Sequence, residues 1–308
     1  EEEQTKEFSL YNERVSTGWE TMLKGLLASD FEITGTWPMQ TERANRCIGI
    51  GTNALASSIV LVCRPRAADA PSVSRREFLA ALNRELPAAL RRLQRGNIAP
   101  VDLAQAAIGP GMAVFSRYPA VLEADGSPMS VHTALALINR TLDEYLAEQE
   151  SEYDSDSRWA LAWFEQFGHE AGPYGIAETL SKAKNTGIER LTHAGILEAR
   201  GGTVRLLRRD ELAKDWDPSV TKRVTVWEAT QYLIRALDEE GEIGAGSLLG
   251  KLAEYGETIR DLAYRLYTLC ERKGWAQDAT AYNMLIIAWP RLKNLSDNRT
   301  ESVQESLL

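Results

Sequence analysis

Two adjacent glycines, Gly201-Gly202, constrain this chain more than any other feature. They separate two strand-like runs, Ile196-Leu-Glu-Ala-Arg200 and Thr203-Val-Arg-Leu-Leu207. A two-residue connection that tolerates positive φ is the turn that closes a tight antiparallel hairpin. Such a loop pairs Arg200 with Thr203, Ala199 with Val204, Glu198 with Arg205 and Leu197 with Leu206. Apolar residues then meet on one face, and an acid meets a base on the other. Three short helices precede the hairpin. Ser157 to Phe167 is aromatic (Trp159, Trp163, Phe164, Phe167) and is stopped by Gly168. A second spans roughly Ile176 to Lys184, and the tight connection Asn185-Thr186-Gly187 leads to a third, Ile188 to His193, stopped by Gly195. Three helices followed by a β-hairpin is the order of a winged helix, which we expect over residues 157–214.

The rest of the chain reads as helix-rich. Residues 10–28 carry Val15, Trp19, Met22, Leu23, Leu26 and Leu27 at the spacing of one helical face. Phe31 to Trp37 alternates like a strand, and Ser58 to Cys63 is a short β-branched run expected to be a buried strand. Arg64 to Pro71 is rich in structure breakers and marks the first expected boundary, giving domains 1–68, 69–156, 157–214 and 215–308. Ser74-Arg-Arg-Glu77 is a capping box opening a helix to about Gln94, with Gly96 as its stop. Pro87 lies inside this span, where a helix can kink or split. Ile108-Gly-Pro-Gly-Met112 reads as a loop and Val131 to Leu146 as a helix. Seven acids and no base occur from Asp143 to Asp156, a solvated linker or helix end in the plainest reading and a DNA mimic or docking site for a basic partner in the other. Thr225-Val-Trp-Glu228 is a second capping box, for a helix to about Leu237. Glu257 to Lys273 and Ala276 to Trp289 follow, the latter stopped by Pro290, with a polar, frayed tail from Arg291 to Leu308. The fold class is therefore α+β, mostly α.

Chemistry is sparse. Acids outnumber bases 44 to 35, for a net charge of −9, which argues against a surface that is basic throughout but leaves room for a local basic patch. The three cysteines, Cys47, Cys63 and Cys270, form no CxxC pair, so neither a disulfide framework nor a zinc ribbon is encoded and a reducing, cytoplasmic compartment is expected. His132, His169 and His193 lie far apart and read as surface or cap residues rather than metal ligands. No apolar run approaches the roughly 20 residues of a membrane span, and no signal peptide is read. The chain opens on Glu1-Glu2-Glu3 rather than methionine, which we read as a fragment. Gly49-Ile-Gly51-Thr-Asn-Ala54 matches G-x-G-x-x-A, but only Cys47-Ile48 precedes it, so a plain loop is the better reading. Gly109-Pro-Gly111 is weaker, because proline lacks the N–H that a phosphate cradle uses.

Several stretches resemble a known family. Thr34-Gly-Thr-Trp-Pro-Met-Gln-Thr-Glu42 and Gly49 to Arg66 resemble the end of the catalytic domain in the large prokaryotic adenine-specific DNA methylases that carry an N-terminal domain of unknown function. Asn97 to Tyr118 is similar to the region just downstream, and Glu178 to Asn185 and Leu269 to Trp275 to the same family's C-terminal extension. The resemblance covers almost the whole chain. It implies that residues from about Leu10 to Arg66 are the last helix and terminal strands of a Rossmann-like methyltransferase sheet. It also implies methyl transfer from S-adenosylmethionine to adenine N6 in DNA by the complete enzyme. That chemistry uses a glycine-rich cofactor loop and an Asp/Asn-Pro-Pro-aromatic tetrapeptide that holds a flipped base. The chain contains no Pro-Pro dipeptide, and Asp217-Pro218 is followed by Ser219. No catalytic or cofactor-binding residue carries over, and we expect this chain alone neither to bind S-adenosylmethionine nor to methylate.

Three functions stay open at this level. In the first, the winged helix contacts or positions double-stranded DNA for the methyltransferase. From Gly175 to Lys214 there are eight bases and five acids, and the candidate phosphate contacts are Lys182, Lys184, Arg190 and His193 near the third helix, Arg200 and Arg205 on the wing, and Arg208 and Arg209 beyond it. In the second, the chain is a non-catalytic adaptor in a DNA modification or phage-defence complex, with Glu198–Arg205 a plain cross-strand pair. In the third, a separate chain supplies the missing catalytic portion of a split enzyme.

Overall fold

The computed structural model describes residues 17–40 and 57–305. The architecture is mostly helical with three small sheets. The first seven residues of the helix expected over 10–28, Cys47 and the Gly49–Ala54 glycine motif lie outside the described residues. Two compact units divide the chain between Ala147 and Glu148.

In the first unit, α1 (Thr17–Ala28) leads into β1 (Phe31–Gln40), which pairs antiparallel with β2 (Ser57–Pro65) in a two-stranded sheet. The register steps from Ile33↔Cys63 to Gly35↔Val62, so Thr34 is the extra residue of a β-bulge. One face of the sheet is covered. Ile33 is buried, and its N–H donates to Ser116 Oγ at 2.8 Å. The Ser116 carbonyl accepts from Arg66 Nε, also at 2.8 Å. Among the described residues nothing covers the opposite face: Trp37, Met39, Val60 and Val62 are all exposed. Ser58 to Cys63 is thus a half-exposed strand rather than a buried one, because a two-stranded sheet with helices on one side can bury only alternate residues.

The helices of this unit are α2 (Arg75–Arg95), α3 (Pro100–Ser116) and α4 (Val131–Glu148). Two-residue strands β3 (Val73–Ser74) and β4 (Val121–Leu122) pair parallel beside them. The Ser74–Glu77 capping box forms in both directions, and α2 runs continuously through Pro87 to Gly96 without splitting. Ile108 to Met112, expected as a loop, is the middle of α3. The glycines there serve close approach instead of turning. A Cβ on Gly109 would lie 1.8 Å from Thr36 Cγ2, and one on Gly111 would lie 2.5 Å from Ile138 Cγ1. Tertiary packing against β1 and α4 has overridden the local preference of Gly-Pro-Gly. The acidic run is not a free solvated stretch either: Asp143 and Asp156 are buried, and Glu150, in the second unit, meets Arg265 at 2.9 Å.

The second unit contains α5 (Ser155–Phe167), β5 (Gly172–Pro173), α6 (Tyr174–Lys184), α7 (Ile188–His193), β6 (Leu197–Arg200) and β7 (Thr203–Leu206). It continues through α8 (Val226–Lys251), α9 (Gly256–Lys273) and α10 (Ala276–Glu305). The Thr225–Glu228 capping box opens α8, which extends past Leu237 to Lys251 with a break at Gly241, where φ is 71° and ψ −168°. Gly274, at φ 72°, caps α9. Pro290 does not stop α10. Trp289 and Leu292 flank the proline and are both buried, and Gly246 of α8 lets Leu295 come so close that an added Cβ would sit 2.7 Å from its Cβ. Packing against α8 holds the helix through its proline, and residues 291–305 are its continuation. No helix among the described residues is long and apolar enough to cross a membrane.

Candidate nucleic-acid interface

The hairpin forms in the register that its sequence dictates, with Leu197↔Leu206, Glu198↔Arg205, Ala199↔Val204 and Arg200↔Thr203. Gly201 and Gly202 have φ of 60° and 78°, the two left-handed positions that a two-residue turn of this twist requires. A third strand, β5, joins β7 on its other side, giving the order β5-β7-β6. Gly172 is required there, because a Cβ would fall 2.7 Å from Trp163. Beneath the sheet, Trp159 and Trp163 stack at 5.2 Å, and the Trp159 indole donates to the Ala177 carbonyl at 3.2 Å. Leu191, Leu197, Val204 and Leu206 complete this core. Asn185 ends α6 in the left-handed conformation, φ 57° and ψ 50°.

A polar knot fastens this module to α8. Asp154 caps α5 by accepting from the N–H groups of Asp156 and Ser157, and its second oxygen accepts from Val226 N at 3.0 Å. Ser157 Oγ accepts from Trp227 N at 2.8 Å. Asp156, 1% exposed, accepts from the Thr186 hydroxyl and from Arg190 Nε at 3.0 Å, with Arg223 at 3.7 Å. Glu228 is buried next to this group. Burial, with the nearby Asp154 and Asp156 charges adding to it, pushes its carboxyl up to about 7, against the hydrogen bonds from Thr225.

The eight candidate contacts divide sharply. Arg190 is committed to Asp156. Arg205 grips Glu198 at 2.8 Å and Glu211 at 2.7 Å, and the Glu211 hydrogen bonds followed by those of Glu198 hold its guanidinium well above the usual arginine range. Glu211 falls to about 2, through Arg205 first and the Arg208 backbone N–H second. Arg209 is mostly buried: it donates to Gln231 Oε1 at 3.0 Å and Asp278 Oδ1 at 2.9 Å and lies over the Tyr282 ring at 5.0 Å. Arg208 reaches Glu170 at 3.4 Å but stays exposed. Lys182 makes an exposed one-turn pair with Glu178 at 3.3 Å. Lys184 shares the last turn of α6. His193, exposed in the last turn of α7, donates from Nδ1 to the Glu189 carbonyl at 2.7 Å. Arg200 is exposed at the turn end of β6, with no side-chain partner among the described residues.

Lys182, Lys184, His193 and Arg200 thus remain available, whereas Arg190, Arg205 and Arg209 are tied into the protein. Asp156 and Asp278, the partners of Arg190 and Arg209, lie 34 and 69 positions away along the chain, which a count of local charge does not reveal, whereas the Glu198–Arg205 pair follows from the hairpin register. Asp154 and Asp156 were hidden within the acidic run, although an aspartate three residues ahead of Ser157 carries the signature of a helix cap. Among the described residues no group of His, Cys, Asp and Glu could hold a metal ion.

The class defined by this geometry is a small helix-and-sheet module, ordered α-β-α-α-β-β, built into an otherwise helical unit. Residues 154–307 match the model of a domain of unknown function (DUF8807), and the chain belongs to that family. No curated protein and no solved structure matches it.

Proposed function

We propose that residues 155–212 form a winged helix that contacts duplex DNA through its backbone, as the C-terminal portion of an S-adenosylmethionine-dependent adenine-N6 methyltransferase. Its contribution is positioning rather than catalysis. The observation that carries the reading is the element order with its three-stranded sheet, together with cations left unpaired or exposed at two helix ends and the wing. β1 and β2, with one face uncovered, are in the same reading the terminal strands of a Rossmann-like sheet completed by other strands. Among the described residues, a cleft beside β1 is lined by Arg92 and Arg117, and its one acid, Glu85, is already paired with Arg84 and Arg117, a poor environment for the sulfonium cation of S-adenosylmethionine. No chemical step is therefore assigned to this chain.

The test is duplex binding by fluorescence anisotropy across a salt series. Lys182, Lys184 and Arg200 neutralising about three phosphates give a log–log slope near −2.7, at about −0.9 per phosphate. The triple substitution to alanine should flatten it by most of that amount, while Arg205→Ala should change it little. Absence of duplex binding at about 50 mM salt would transfer the reading to a second one, an adaptor in a DNA modification or defence complex. That alternative is favoured by the internal pairing of Arg190, Arg205 and Arg209 and by Tyr174 and Ile176, each 40% exposed at the start of α6.

A further inference from the structure

Helix α8 does not run straight. Gly241 breaks it at φ 71° and ψ −168°, a combination that is essentially confined to glycine. A cleft of about 210 Å3 is lined from both sides of this break. Arg235 and Glu240 come to it from the segment before the break, Gly244 and Lys251 from the segment after it, and Lys214 and Trp216 from the loop between β7 and α8. That loop is fastened down on either side of Lys214. Arg235 donates to the carbonyls of Leu212 and Ala213 at 2.8 and 3.0 Å. Trp216 stacks on Tyr232, with ring centroids 4.1 Å apart and planes at 4°, and Asp217 meets Lys251 at 2.8 Å.

The cleft is rich in donors that the protein itself does not use. Lys214 is exposed and has no ion-pair partner among the described residues. Arg235 gives two N–H groups to carbonyls and, among the described residues, meets no carboxylate, so most of its donors remain. Lys251 has Asp217 as its acid and keeps further N–H groups. The Nε1 of Trp216 is buried without a hydrogen-bond partner among the described residues, an arrangement that costs free energy until an acceptor arrives. Glu240 is the one acid along the described wall, and its side chain lies on Gly244, where an added Cβ would come within 2.4 Å of Oε2. There the carboxylate sits beside the first turn after the break, where freed N–H groups and the helix dipole favour negative charge. It forms no ion pair with Lys214, Arg235 or Lys251 among the described residues.

A solvated surface accounts for Lys214 and Lys251. It accounts neither for a buried indole N–H without an acceptor nor for a guanidinium held by carbonyls alone beside two ammonium groups. The group that answers all of these donors is an anion with several oxygens. The donors come from the loop and from both segments of α8, whereas a carboxylate offers two oxygens in one plane and a phosphate monoester offers three around its phosphorus. The volume is below the roughly 300–1,000 Å3 of drug-sized sites, which suits a phosphate carrying at most a small organic group.

We propose that the cleft at the break of α8 binds a phosphate group, free or on a small monoester. Lys214, Arg235 and Lys251 neutralise it, and the Trp216 indole N–H donates to one of its oxygens. The inference does not rest on the duplex reading, since it uses none of Lys182, Lys184 and Arg200.

The experiment titrates the full, nitrogen-15-labelled chain with sodium phosphate at about pH 7.5, where phosphate is largely a dianion, against sodium chloride of matched ionic strength. The Trp216 indole resonance is the one missing from Trp216→Phe, a variant that keeps a ring on Tyr232. Phosphate should move that resonance downfield and saturably, and chloride should not. By calorimetry, Trp216→Phe should weaken phosphate binding about tenfold, as for one hydrogen bond to a charged group. Lys214→Ala, at an exposed position, should weaken it about threefold, and Lys214→Arg should restore most of that loss. Glycerol 3-phosphate binding more tightly than inorganic phosphate identifies a monoester as the source, and equal binding identifies free phosphate. The alanine triple variant at Lys182, Lys184 and Arg200 should bind phosphate as the wild type does, so this proposal and the duplex reading fail separately. Four outcomes would overturn the proposal: no saturable binding of either compound, an indole resonance that stays in place while phosphate binds, tighter binding of succinate than of phosphate, or a shift produced by a short DNA duplex and not by phosphate. The last would assign the cleft to the DNA backbone.

Discussion

The two antiparallel strand pairs solve the same problem in opposite ways. β6–β7 has strands of four residues each, gains a third strand from β5, and buries Leu197, Val204 and Leu206 at 2% exposure or less. Its Arg205 is held between Glu198 and Glu211. β1–β2 has strands of ten and nine residues and gains no further strand among the described residues. Its outer face displays Trp37, Met39, Val60 and Val62. The short pair is closed by local sequence and by covering helices, and of its two arginines Arg205 becomes structural while Arg200 stays free at the turn. The long pair is finished on one side only, and Arg92 and Arg95 near it on α2 are exposed. Basic residues therefore indicate an interface only where no carboxylate from elsewhere in the fold has claimed them.

Four perturbations would break or sharpen this contrast. The largest expected effect is on pH. Glu228 rises from an ordinary value of 4.5 to about 7 in the folded state, first through burial. The folded chain then binds more protons than the unfolded chain between those values. Its contribution to stability is present below pH 4.5 and is lost as pH climbs to about 7, on the order of 3 kcal/mol at about 1.4 kcal/mol per unit. Glu228→Gln keeps a capping-box partner and removes the titration, so the difference between wild-type and variant denaturant midpoints should change between pH 4.5 and about 7, and a difference that is constant over that range would mean that the assignment is wrong. Asp156→Ala comes next. It strips Arg190 and Thr186 of their shared acceptor and should cost about 2 kcal/mol, as for hydrogen bonds to a charged group, with thermal melting as the measurement. Because Arg190 is half exposed, water replaces part of what it loses.

The remaining two perturbations act on the first unit. Gly111→Ala drives a methyl group into Ile138, and overpacking of this kind should cost about 1–2 kcal/mol, read as earlier loss of amide protection in α3 than in α8. The smallest effect is expected from Val60→Thr with Val62→Thr on the open face of β2. Exposed strand positions of this type should shift stability by no more than about 0.5 kcal/mol, yet self-association measured by sedimentation should fall. A large destabilisation would mean that the face is covered after all.

Local signals were legible and long-range ones were not. The hairpin register, both capping boxes and the stops at Gly96, Gly168 and Gly274 depend on residues within a few positions of one another, so one sequence contains the whole cause. Gly109-Pro110-Gly111 and Pro290 failed because their helices are imposed by Thr36, Ile138 and Leu295, side chains that no local window includes. The candidate interface was half legible for the same reason. Lys182, Lys184, His193 and Arg200 stand where their neighbourhood puts them, whereas Arg190 and Arg209 are captured by distant Asp156 and Asp278.

The single extra residue in β1 has a consequence for insertions and deletions. In an unbroken strand the inward residues would run Ile33, Gly35, Trp37. The bulge at Thr34 resets the alternation, so that Thr36 turns toward Gly109 and Trp37 turns away. Losing the one residue at position 34 would therefore only regularise the ladder: Gly35 already pairs with Val62 and Thr36 with Leu61, so threonine stays toward the helix and tryptophan stays outside. The strand thus accommodates the loss of that one residue, whereas straightening the bulge with Thr34 kept in place would exchange its two faces.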